Sequence, residues 1–120
     1  MLDIEHYFSI HNRSWDCLGE ISAQEKQARI DLATCYRLSA KMQWDDGIYT
    51  QISAVVPGQP QSYLINQVGL RFEEVTPFNL VKVDVLGNIL NGAGPVNISG
   101  FAIHGAIHTA RSDAMCVFHL

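Results

Sequence analysis

His104-Gly105-Ala106-Ile107-His108 places two imidazoles four residues apart. On a helix that spacing puts both on one face, where they could share a metal ion, with His119 as a conceivable third ligand. Gly105 stands where an H-E-x-x-H pair carries its glutamate, so a metalloprotease reading fails. The pair reads instead as two side chains hydrogen-bonded beside the core. His119 is different in kind. It closes the apolar run Ala114-Met115-Cys116-Val117-Phe118-His119, where strand alternation sets it on the face of Met115 and Val117. A histidine there projects from the end of a sheet, a common place for sites. The other candidates are weaker. Cys17, Cys35 and Cys116 form no C-x-x-C, and Cys116 reads as a small hydrophobe. Glu73 and Glu74 beside Arg71 read as a solvated face. No G-x-G-x-x-G or Walker loop is present.

These residues need elements to hold them. Ser22-Ala23-Gln24-Glu25 has capping-box spacing, with serine and glutamate expected to satisfy each other's backbone N–H groups. A helix is expected from Ala23 to Met42, with Ile30, Ala33, Cys35, Tyr36, Leu38 and Met42 inward and Lys26, Arg29, Asp31 and Arg37 on other faces. Asp45-Asp46-Gly47 should end it. β-branched and aromatic residues then mark a strand through Ile48–Val56, a turn at Pro57-Gly58-Gln59-Pro60 and a return strand at Ser62–Ile65. Thr76-Pro77 suggests a single capped helical turn. Val81–Val85 alternates as a strand, Leu86-Gly87-Asn88 turns, and residues 91–95 form a loop. A second helix is expected over Ile98–Ala110, capped by Asn97, with an apolar face of Phe101, Ile103, Ala106, Ile107 and Ala110. Its Gly100 and Gly105 are costly in a helix and imply close approach of a neighbour. Residues 1–22 read as a docking arm.

Composition narrows the class. The chain has 120 residues, 48% of them apolar and 17% charged, enough to pack a core and too apolar for disorder. No apolar run reaches the ~20 residues of a membrane span. The N-terminus lacks the pattern of a signal peptide. A net charge of −4 argues against a nucleic-acid backbone as partner. Three widely spaced cysteines suit a reducing, cytoplasmic setting. The element order fits one α+β or α/β domain, helices packed on a mostly antiparallel sheet.

Longer stretches carry a resemblance. Tyr63–Thr76 followed by Leu80–Asp84, then Asn97–Asp113 followed by Cys116–His119, closely resembles the class II aldolase/adducin family over about residues 28–120. The resemblance implies an αβα architecture around a largely antiparallel sheet, with residues 23–120 as the family domain, incomplete after its first metal-histidine strand. It implies a tetramer, a small-molecule ligand, and in the aldolases a zinc ion that polarises a sugar-phosphate carbonyl. By position, His119 matches the first metal ligand; the second and third are not among these 120 residues. Gln51, Gly69 and Ser99 match the phosphate pocket, where Thr50-Gln51-Ile52-Ser53 departs from the family's G-N-[VI]-S and Val68 replaces a small hydroxyl residue. Gly100 stands where aldolases carry the acid/base glutamate, which is closer to the adducin-like branch. His104 matches a position that is not a ligand, and His108 one that is usually tyrosine.

Two expectations follow. One is a non-catalytic, adducin-like assembly or ligand-binding domain with no assignable catalytic residue and no stoichiometric zinc. The other is the N-terminal part of a metal-dependent lyase acting on a small carbonyl or sugar phosphate. In either case an exposed sheet edge is expected to favour self-association.

Overall fold

The computed structural model describes residues 15–47, 49–92 and 94–120. The reading of residues 1–14, most of the arm, lies outside the described residues, as does the strand assignment at Ile48. Five strands form one antiparallel sheet in the order β4-β3-β2-β1-β5. They are β1 (Gln51–Val56), β2 (Gln59–Ile65), β3 (Val81–Asp84), β4 (Ile89–Asn91) and β5 (Cys116–His119). Helix α1 (Ala23–Lys41) and helix α2 (Ile98–Ala110) cover opposite faces. The helices-on-antiparallel-sheet fold expected from the element order is present.

Strand alternation assigns the two faces. Ile52, Val56 and Leu64 pack with Leu32, Ala33 and Tyr36 of α1 and with Phe72, Val75, Phe78 and Leu80. Tyr63, Ile65, Val81 and Val83 point the other way, toward Val96 and Phe101. The Gly58 turn (φ +77°) reverses β1 into β2, and Ala54 and Val55 pair with Leu64 and Tyr63. β5 returns antiparallel along the far side of β1, setting Gln51 opposite His119 and Ser53 opposite Val117. A short 3-10 turn at Trp15–Leu18 lies against the first cluster, with the Trp15 ring edge-on to Phe78 at 4.8 Å.

Several expectations need correction. The Ser22 hydroxyl accepts from the Glu25 N–H at 3.0 Å, but the glutamate does not return the bond. Its buried carboxylate accepts instead from Arg29 Nε at 3.0 Å and Lys82 Nζ at 2.9 Å. Arg29, expected on a polar face, is fully buried and donates through Nη1 to the Pro77 and Leu80 carbonyls. Those carbonyls need a donor that the sheet does not supply, and a guanidinium reaches both. Leu38 and Met42, expected inward, are about half exposed. α1 ends before Asp45, where Trp44 N–H bonds the Ser39 carbonyl around Gln43 in a left-handed conformation (φ 60°). Thr76 caps only a turn, accepting from the Phe78 and Asn79 N–H groups, and the 3-10 turn precedes it at Phe72–Glu74. β4 falls between the expected turn and loop. It has only three residues at the sheet edge, too few for a periodic pattern.

α2 inverts its expected polarity. Ile103, Ala106, Ile107 and Ala110 are exposed, while His104 and His108 are buried. The glycines explain how the helix seats. A Cβ on Gly105 would lie 3.2 Å from the Tyr63 hydroxyl, so the expected close approach is real.

Candidate functional site

The entrance to β1 is held by a tyrosine hydroxyl. Tyr36 of α1 is fully buried, accepts from the Ile52 N–H at 2.8 Å and sits against the Ile52 carbonyl and Asn66 Oδ1. β2 ends at Ile65, so this hydroxyl and the Asn66 amide take over where ladder partners stop. Burial pushes the Tyr36 phenol well above its usual range, which keeps it a neutral hydrogen-bonding group. Gln51 is thereby fixed at the first position of β1.

The Gln51 amide has a defined orientation. The Tyr49 carbonyl can only accept, so Nε2 faces it at 3.1 Å and Oε1 faces His119 Nδ1 at 3.2 Å. The third wall is α2. Asn97 caps it by accepting from the Gly100 N–H at 3.0 Å. A Cβ on Gly100 would stand 2.9 Å from Gln51 Cδ and 3.1 Å from Oε1. The amide therefore occupies the ground a side chain at position 100 would cross. Ser99 is exposed in the same helical turn. Gly69 (φ +90°) turns the chain after β2, and the neighbouring Val68 N–H bonds the Pro95 carbonyl at 2.9 Å. That bond holds the Gly69 turn to the segment that enters α2. Gln51 and His119 touch, with Gly100 against the amide; Gly69 and Ser99 lie on the adjoining segments.

Two residues further along the same face of β1 lies a second polar group, which explains the buried histidines. Ser53 Oγ is 2.5 Å from His104 Nδ1 and 2.8 Å from His108 Nε2. His108 Nδ1 lies 3.1 Å from the Ala114 carbonyl, which can only accept. The direction of the chain follows. His108 Nδ1–H donates to Ala114, the Ser53 hydroxyl donates to His108 Nε2, and His104 Nδ1–H donates to Ser53 Oγ. His104 Nε2 is left as a buried lone pair with no hydrogen-bond partner among the described residues. Burial first, then the positive potential of His108 and His119, lowers the His104 pKa to about 4. Burial lowers that of His108 too. Both stay neutral near pH 7, as side chains bonded beside the core should. Sequence reading placed Ser53 only in the phosphate-pocket motif and missed it as the partner of both histidines; its signal was a lone hydroxyl between Ile52 and Ala54 in an apolar strand.

The donor chemistry for a metal is partial. Donation from Nδ1 leaves Nε2 of the exposed His119 as the free imidazole lone pair, the form that ligates a metal. Among the described residues, no three His, Cys, Asp or Glu side chains converge as a metal-holding group. Cys116 is exposed, not enclosed as a strand hydrophobe would be. Its thiol is pushed upward by desolvation, which disfavours the thiolate. A cleft of about 290 Å³ bounded by Val55, Pro57, His108, Thr109 and Ser112 lies at the other end of β1.

Comparison with known proteins decides the family. The model of the class II aldolase and adducin N-terminal domain matches residues 30–120. The chain belongs to the class II aldolase and adducin family. It is 46% identical over 112 residues to a Pseudomonas aeruginosa protein provisionally named an aldolase class 2 protein, covering 92% of this chain and 43% of that one. Alpha-adducin of Rattus norvegicus is 39% identical over 99 residues, covering 80% of this chain and 14% of adducin. Among solved structures, an aldolase II superfamily protein from Pseudomonas syringae superposes with a TM-score of 0.79 at 46% identity, over 83% of this chain and 42% of that one. The L-fuculose 1-phosphate aldolase from Glaciozyma antarctica superposes with a TM-score of 0.73 at 25% identity, over 86% and 45%. The chain thus spans less than half the length of these class II aldolase and adducin relatives.

Proposed function

We propose that this class II aldolase/adducin domain serves in ligand binding or assembly and does not itself catalyse aldol chemistry. The observation that carries this reading is the Gln51 amide packed against Gly100. Aldol cleavage needs a group that takes and returns a proton near the carbonyl. The resemblance puts that group at position 100. Here the position has no side chain, and its space is filled by an amide, which does not exchange protons near pH 7. His104 does not replace the missing group, because it is fully buried and its pKa is held near 4.

His119 is the residue that would hold a divalent metal, through Nε2, and such a metal would supply Lewis acidity toward a carbonyl oxygen. Among the described residues no second and third ligand converge on His119, and a zinc site takes three or four protein ligands. A zinc content well below one per protomer is therefore expected. Stoichiometric zinc lost in His119→Ala would overturn this reading, as would retro-aldol turnover of a sugar 1-phosphate by the purified chain. Self-association fits the exposed strand β5 and the apolar outer face of α2. A clean monomer in size-exclusion chromatography would count against that part. A cytoplasmic location is proposed with it, consistent with three unpaired thiols among the described residues.

The second reading is the N-terminal part of an active metal-dependent lyase. What favours it is the share of the relatives that this chain spans, 43% of the Pseudomonas aeruginosa protein. Retro-aldol activity in a longer protein that retains Gly100 would establish it.

A further inference from the structure

The carried-over role of Gln51 is substrate binding in a phosphate pocket. The geometry points to a different one. We propose that Gln51 is a positioning residue for His119: its amide oxygen holds the imidazole as the Nδ1–H tautomer and presents Nε2, in space that Gly100 leaves open. The proposal rests on the reading of His119 as a family ligand position, and it concerns the metal-free imidazole.

Four observations converge on it. Gln51 and His119 are directly opposed across the β1–β5 ladder, so their side chains emerge on one face. The amide has a forced orientation, because the Tyr49 carbonyl claims Nε2 at 3.1 Å and leaves Oε1 as the acceptor for His119 Nδ1. Gln51 is buried, with 4% of its surface exposed, so its two polar ends have little recourse to water. Gly100 supplies the room: any Cβ there would meet Gln51 Cδ at 2.9 Å and drive the amide off its partners. An imidazole that ligates through one nitrogen needs an acceptor on the other, which sets both tautomer and ring orientation. A side-chain amide turned by the Tyr49 carbonyl so that its oxygen faces the ring is such an acceptor.

The test is the tautomer of His119 in the metal-free chain, read from long-range proton–nitrogen correlations of histidine-labelled protein at a pH where the ring is neutral. The wild-type chain should show the Nδ1–H pattern. In Gln51→Ala the ratio of Nδ1–H to Nε2–H should fall by about fivefold, roughly the factor one net hydrogen bond is worth. Gln51→Glu should restore it, since a carboxylate accepts the same proton. If Gln51→Ala fails to fold, Gly100→Ala serves instead, because it displaces the amide without removing it; the same fall is expected. A wild-type Nε2–H pattern, or an unchanged ratio in a folded Gln51→Ala or Gly100→Ala chain, overturns the proposal. The spectrum is taken without metal and without substrate. Failure of the tautomer shift therefore refutes the role of Gln51 alone, whereas stoichiometric zinc or retro-aldol turnover refutes the functional reading and leaves Gln51 untouched.

Discussion

Acidification should cost this protein more than its carboxylates alone would explain, because of one buried ring. His104 is fully buried, donates through Nδ1 to Ser53, and has a folded-state pKa of about 4 against 6.5 when unfolded. The pKa is depressed, so between those values the unfolded chain binds the extra proton and stability rises with pH. The contribution is fully present above about pH 6.5 and is lost as pH falls toward 4. At about 1.4 kcal/mol per pH unit the loss amounts to about 3 kcal/mol. The groups acting on the ring are His108 and His119, and both oppose its cation. Urea unfolding of wild type and His104→Asn, from about pH 7 to about pH 4, isolates the effect. Asparagine keeps an N–H near the Nδ1 position and removes the titration, while carboxylate contributions cancel in the difference. Wild type should lose about 3 kcal/mol more than the variant over this window. Parallel losses, within about 0.5 kcal/mol, would refute the buried neutral His104 and with it the assigned direction of the Ser53 chain.

Three further perturbations probe other parts of the fold. Gly100→Ala should destabilise by about 1–2 kcal/mol in the wild-type background and become neutral or stabilising in Gln51→Ala; additive effects in that double-mutant cycle would deny the contact. Gln43→Gly should raise stability by about 1 kcal/mol, because Gln43 holds a left-handed conformation at the end of α1; an unchanged midpoint in denaturant would count against it. Glu25→Ala should cost about 3–5 kcal/mol by leaving Arg29 buried without its carboxylate and Lys82 without its partner, which equilibrium unfolding measures; a loss below about 1 kcal/mol would show that the pair is not isolated from water.

Local rules carried most of the fold and failed where polar groups are buried. The hairpin at Gly58, the valine alternation of β3 and the Asn97 cap follow from backbone preferences that neighbouring residues decide. Arg29 does not, because the carbonyls that call it inward, Pro77 and Leu80, lie far along the sequence. α2 is the clearest case. By hydropathy Ile103 and Ile107 belong inside, yet the sheet face they would meet carries Ser53, whose hydroxyl bonds His104 and His108. A periodicity argument ranks faces by transfer from water to oil, and it omits the cost of about 1–3 kcal/mol for an unmade hydrogen bond at a buried hydroxyl.

The candidate site was legible residue by residue but not as a pair. Taken separately, Gln51 is a longer side chain in a pocket that resembles one built for a shorter amide, and Gly100 is a missing carboxylate. In space the two departures are complementary: the glycine removes the Cβ that Gln51 would strike, and the longer side chain fills what the glycine leaves. The pairing changes the chemistry of the site as well as its shape. A carboxylate can both orient an imidazole and carry a proton; an amide, never ionised near neutral pH, can only orient. His119 therefore keeps an acceptor for Nδ1, and on the proposed reading that acceptor carries no proton. Because the amide that holds His119 stands where a Cβ at position 100 would be, a change at either Gln51 or Gly100 should disturb the presentation of that imidazole.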